Sequence, residues 1–171
     1  MSKLKIIGIA FVLLVVLVQF IPANRPDVKT TNERDLLLNN TLEKSVASLI
    51  KTSCYDCHSN ESVYPWYAHI APVSWLVNRD IREGRRHLNF SEWEGYNKLD
   101  KAKMLNEITD EVNGSEMPMS IYVLMHPKAK LSESERKQIV KWADQFGNNL
   151  FSVNTGKKIT LPVLGGSEEN N

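Results

Sequence analysis

Residues 54 to 58 read CYDCH, and they contain both cysteines of the 171-residue chain. No other stretch limits the fold as strongly. Two thiols separated by two residues, with an imidazole directly behind the second, suit only a few kinds of chemistry, and each demands a different scaffold. A thiol redox pair belongs after the first strand of a βαβ unit, whereas the segment before Cys54 has helical periodicity. A structural zinc site needs four ligands, commonly two pairs, and only the scattered His69, His87 and His126 are left to complete it. A Cys54–Cys57 disulfide closes a very small loop and leaves His58 without a role.

The fourth possibility uses all three residues. Two thiols add to the two vinyl groups on one edge of a porphyrin, and the adjacent imidazole comes under the iron as an axial ligand, so Cys-x-x-Cys-His is the sequence form of c-type haem attachment. Cys54, Cys57 and His58 supply these parts. The far face of the iron is then either capped or open. Met117, in NGSEMPMS, is the best-placed cap, since it follows a helix and Pro118 stiffens the backbone that presents its sulfur. Met119, or His126, His69 and His87 as second imidazoles, are the other candidates, while Met104 and Met125 read as packing. Met117, Met119, Met125 and His126 together could attract copper, but that reading leaves CYDCH unexplained.

The N-terminus carries a separate signal. MSKLK precedes IIGIAFVLLVVLVQFI, an apolar run broken only by Gly8 and Gln19. Lys3 and Lys5 form a positive flank that stays cytoplasmic, which predicts export of everything after residue 22. Residues 1–22 therefore read as a transmembrane signal anchor, with a cleaved signal peptide as the alternative. Residues 23–40, polar and with early prolines, read as a linker. The formal net charge is +1 and no basic block is interleaved with aromatics, so nucleic acid is not an expected partner.

The rest is all-α by periodicity. Asp35 to Leu38 suggests a helical turn. A helix is predicted over 42–52 behind Thr41, another from Pro72 to His87, and a short one from the Ser91–Glu94 capping box. A further helix runs from an Asp100 cap to Asn113-Gly114, and the last from the Ser132–Glu135 capping box to Gly147. Residues 41–147 form the domain and 148–171 a tail, in which ITLPVL can lie on the domain and GGSEENN frays.

Taken in order, CYDCHSNESVYPWY, IAPVSWLV, REGRRHLNFSEW, EMPMSIYVLMHPKAKLS and the closing helix with Trp142 resemble the haem-binding domain family, a cytochrome c-like domain of exported bacterial proteins. The resemblance covers about Thr41 to Gly147. It implies a cytochrome c-like helical fold round one covalent haem c on Cys54 and Cys57, with His58 axial and Met117-Pro118 at the distal-ligand position. Two departures are the long segment from Ser59 to Trp93 and Ala47, which stands where small cytochromes often have glycine. Tyr64, Trp66, Tyr67 and Trp75 are candidates for the wall round the macrocycle. At most one of Arg79, Arg82, Arg85 and Arg86 is expected to reach a haem propionate, the others being solvated on a helix face. The expected function is single-electron transfer with protein redox partners on the periplasmic side of the inner membrane, by a carrier rather than an enzyme. A haem sensor or peroxidase with an open sixth position is the alternative, and a non-haem metal or disulfide module a third.

Overall fold

Helix α1 (Lys3–Val18) forms where the apolar run predicts one, and its exposed apolar residues surround it on every side. Its 16 residues amount to ~24 Å at ~1.5 Å per residue, against a hydrocarbon core of about 30 Å. Among the described residues, 2–152 of this computed structural model, no helix is long and apolar enough to cross a membrane. The expected transmembrane helix over 1–22 is corrected accordingly. The regular helix stops because Gln19, Phe20 and Ile21 close a tighter turn onto Val16, Leu17 and Val18, and the Gln19 side chain is taken up by Ala71.

The segment read as a linker is bonded to the domain along much of its length. On helix α5 (Val73–His87), Trp75, Asn78, Arg82 and Arg85 share one face, at the 3–4-residue spacing of helix neighbours. They donate in turn to the carbonyls of Ile21 (3.4 Å), Ala23 (3.1 Å), Asn24 (2.7 Å) and Asp27 (2.7 Å). A proline-rich strap cannot satisfy its own carbonyls, and the α5 side chains do so instead. The Tyr64 hydroxyl takes the Pro26 carbonyl at 2.9 Å, and Lys29 N–H bonds to Asn60 O at 2.8 Å. Beyond it, Asp35 caps the short helix α2 (Leu36–Asn39) and is itself buried.

Helices α3 (Lys44–Ser53) and α4 (Tyr55–His58) follow, separated by Cys54. The first starts at Lys44 without a side-chain cap, later than Thr41 implies. The segment after α5 is a 3-10 turn, Phe90–Gly95, capped by Asn89. The expected Ser91–Glu94 capping box does not form there, because Ser91 Oγ is used by Asn60 N–H and Asp35. Helix α6 (Lys98–Asn113) is capped by Asn97 instead of Asp100 and ends at Gly114 as expected. A short helix, α7 (Ser120–Met125), was not predicted; with six residues it offers too little periodicity to be read.

Helix α8 (Glu133–Phe151) has the predicted Ser132–Glu135 capping box but continues through Gly147. Gly147 is not in the left-handed region that ends helices, and a Cβ there would stand 3.7 Å from Leu105 Cδ1, while Leu150 extends the apolar stripe. The domain boundary at 147 therefore falls inside a helix. The expected placements of ITLPVL and GGSEENN lie outside the described residues.

The core is built where α3 and α6 meet α8. Val46, Ile50, Leu105, Val112, Ile139, Trp142 and Ala143 belong to one buried cluster that includes Tyr55, Phe90 and Trp93. The described residues contain no strand, so the chain is all-helical as read.

Candidate functional site

The CYDCH stretch is a single helical turn. Cys57 N–H and His58 N–H both bond to Cys54 O, at 3.2 and 2.9 Å, so the two thiols sit three residues apart on one side of the turn. The intervening residues fasten its other side. Tyr55, 2% exposed, stacks on Phe90 at 5.3 Å and donates to Asp35 Oδ1 at 2.9 Å. Asp56 accepts from Val63 N–H at 3.1 Å and from the Tyr122 hydroxyl at 2.7 Å. Helix α5 lies so close that a Cβ on Gly84 would stand 2.7 Å from Cys57 O.

His58 Nδ1 sits 3.1 Å from Gly84 O and 3.2 Å from Leu88 O. Two carbonyls can only accept, so Nδ1 carries the proton, and Nε2 is left with a lone pair for a metal. Burial lowers the pKa of the imidazole below its ordinary value, which keeps it neutral as a ligand must be. A carbonyl partner in the loop before Pro72 is the natural expectation from sequence. The partners lie instead at the end of α5, because Gly84 brings that helix against the motif.

No disulfide joins Cys54 and Cys57. Burial pushes both up to about 12, so neither is the activated thiolate of a redox pair. Among the described residues no three His, Cys, Asp or Glu side chains are grouped to hold a metal ion. His69 is occupied by Arg25 at 2.8 Å, and His126 stacks on Tyr122 at 4.2 Å.

Cys54, Cys57 and His58 line a cavity of about 540 Å³. Its walls are largely apolar, with Ile50, Phe90, Ile108, Val112, Ile139 and Trp142 among them, and of the expected sixth-ligand candidates Met117, Met119 and His87 line it. Met117 is held through its backbone: its N–H bonds to Glu111 O at 3.2 Å, and Arg136 Nη1 donates to its carbonyl at 3.3 Å. Two polar side chains on this cavity, Ser53 Oγ and Trp142 Nε1, are buried without a protein partner. An apolar volume, a neutral imidazole with a free nitrogen, and donors awaiting acceptors together fit haem, whose body is apolar and whose carboxylates accept hydrogen bonds.

Some expected residues lie elsewhere. Tyr64, Trp66, Tyr67 and Trp75 are not on the cavity; Tyr64 and Trp75 bond to the N-terminal strap, and Trp66 is 72% exposed. The walls are aromatic through Phe90, Tyr122 and Trp142 instead. None of Arg79, Arg82, Arg85 and Arg86 lines the cavity either. Arg82 and Arg85 hold the strap, Arg79 pairs with Asp80 and Arg86 with Glu83. Asp80, Glu83, Glu107 and Glu111 line the cavity, and no Lys or Arg does. Gly84, Asp35 and Tyr122 were missed as site residues, since each acts through a partner distant in sequence.

The family model described as haem-binding domain matches residues 13–145. The chain belongs to the haem-binding domain family. The match begins inside the apolar N-terminal run, so it includes the strap that α5 holds. Membership makes this a haem-binding protein, in agreement with the cavity. A curated relative, the cytochrome c peroxidase Ccp of Escherichia coli (strain K12), is 26% identical over 121 residues. That alignment covers 68% of this chain but 26% of the peroxidase, so the chain corresponds to about a quarter of its relative's length. No solved structure matches the chain.

Proposed function

We propose that this haem-binding protein carries one haem c, bound covalently through Cys54 and Cys57, with His58 and Met117 as axial ligands, and that it passes single electrons between redox proteins. The observation that carries this reading is the shared cavity: both thiols and His58 line it together with Met117. Bound haem supplies an iron that changes by one electron between ferric and ferrous. The residues fix its surroundings. His58 is kept neutral by burial and oriented by the Gly84 and Leu88 carbonyls, the apolar walls exclude water, and the Met117 thioether favours the ferrous state over what a second imidazole gives.

Export and attachment to the inner membrane from the periplasmic side form part of the same proposal. Lys3 and Lys5 ahead of an apolar helix that has no buried residue support it. A displaceable sixth ligand, in a sensor or peroxidase, is the second reading. It is favoured by the half-exposed Met117 and by Met119 lining the same cavity.

Acid–acetone extraction of the denatured protein tests the covalent link. Haem should stay with the wild-type chain and be extracted from, or absent in, Cys54→Ser/Cys57→Ser. Haem freely extracted from wild type sinks the c-type assignment. In the intact oxidised protein, a thioether-to-iron charge-transfer band that disappears in Met117→Ala supports electron transfer, and a high-spin resting spectrum favours the second reading.

A further inference from the structure

Helix α1 is tied to the domain at Ala71. The Gln19 side-chain amide takes both backbone groups of that residue, donating from Nε2 to Ala71 O at 3.2 Å and accepting Ala71 N–H on Oε1 at 2.9 Å. Around this junction the surface is apolar. After Val28, ten large apolar side chains are exposed among the described residues, and seven of them fall in two short stretches: Val63, Trp66, Ile70 and Val73, and Ile121, Leu124 and Met125. Val63, Val73, Ile121, Leu124 and Met125 line one further cavity of about 340 Å³, which places the two stretches on the same face. Its lining also includes Asp56, Asp80 and His126, and no Lys or Arg.

We propose that this face of the haem domain rests on the lipid bilayer, at the point where α1 enters it. The proposal rests on the reading of α1 as membrane-attached. What favours lipid over a protein partner is α1 itself. It has no buried residue and is apolar all round, so it needs cover on every side, which lipid supplies and a single protein groove does not. Gln19 fixes the end of α1 to Ala71, between Ile70 and Val73, so the cover for the helix reaches the face beside it. Trp66 suits the interfacial layer, where aromatic rings concentrate. Lys128 and Lys130, both exposed just beyond Met125, suit anionic headgroups at the rim. This face shares Cys57, Asp80, Met119 and Tyr122 with the haem cavity, so contact with lipid orients the haem site relative to the membrane.

The test uses the full, haem-loaded chain in phosphatidylethanolamine/phosphatidylglycerol vesicles whose acyl chains are brominated near the headgroup. Subtracting the fluorescence of Trp66→Phe from that of wild type isolates Trp66. Brominated lipid should lower the Trp66 component about twofold or more relative to plain lipid, as for a ring buried at the interface. Val63→Glu/Leu124→Glu, both at exposed positions, should abolish that quenching while flotation with the vesicles is retained through α1. Flotation with a Trp66 component that ignores bromine and yields to aqueous acrylamide overturns the proposal. Shielding from both quenchers overturns it in favour of a second copy covering the face. A chain that does not float shows that attachment itself fails, and this inference with it.

Discussion

The two sides of the haem cavity are built to different standards. On the His58 side, every residue of the CYDCH turn except Cys54 is fixed by a side-chain bond or a tight contact: Tyr55 by Asp35 and Phe90, Asp56 by Val63 N–H and Tyr122, Cys57 by Gly84, and His58 by two carbonyls. On the Met117 side, the sulfur-bearing chains stand between α6 and α7, and the hydrogen bonds that hold Met117 run through its backbone, from Arg136 to its carbonyl and from its N–H to Glu111 O. The proximal side is preorganised for one ligand. Under the proposed ligation the Met117 side is the less constrained of the two, and the electron-carrier and displaceable-ligand readings differ there.

The comparison is broken most severely at Gly84. A valine places methyl groups beyond a Cβ that already meets Cys57 O at 2.7 Å, and backbone on both sides cannot yield cheaply. Thermal or denaturant unfolding of Gly84→Val should show a loss of about 3 kcal/mol, the upper part of the usual overpacking range, with weakened His58 coordination in the haem spectrum. Wild-type stability in that variant shows that α5 does not clamp the motif. A smaller loss is expected from Tyr55→Phe, which removes the donor to Asp35 but leaves the Leu37 N–H on the same carboxylate oxygen. Denaturant titration should register about 1.5 kcal/mol, and an effect near zero means the buried Asp35 is adequately served by Leu37 and Ser91. The smallest change in stability belongs to Met117→Ala, about 1 kcal/mol for a half-exposed side chain. Its effect on ligand access runs the other way: added imidazole should bind the oxidised variant much more readily than wild type. If Met117→Ala destabilises the protein as much as Gly84→Val, the two sides are equally integral to the fold and the contrast fails.

What was legible in the sequence is what short-range physics decides. The CYDCH turn, the Ser132–Glu135 capping box, the α5 span and the stop of α6 at Gly114 follow from hydrogen bonds and periodicities within a few residues. Met117 could be singled out because the proline after it marks a stiff, exposed loop on the far side of a helix. The aromatic and arginine assignments were less informative, because residue type alone does not say which surface a side chain faces. Trp75, Arg82 and Arg85 turned to the strap, and Trp142 and Tyr122 took the cavity.

The sequence by itself determined that the chain is helical, that its two thiols and an imidazole share one turn, and that an apolar segment precedes them. Only the tertiary structure decided which helix orients His58, that residues read as a free linker are bonded along α5, and that the exposed apolar side chains gather beside the end of α1. The division has a physical cause. A turn or a cap is fixed by groups a few residues apart, whereas the partners Gly84, Asp35 and Ala71 come from 26, 20 and 52 residues away and are chosen only when helices pack.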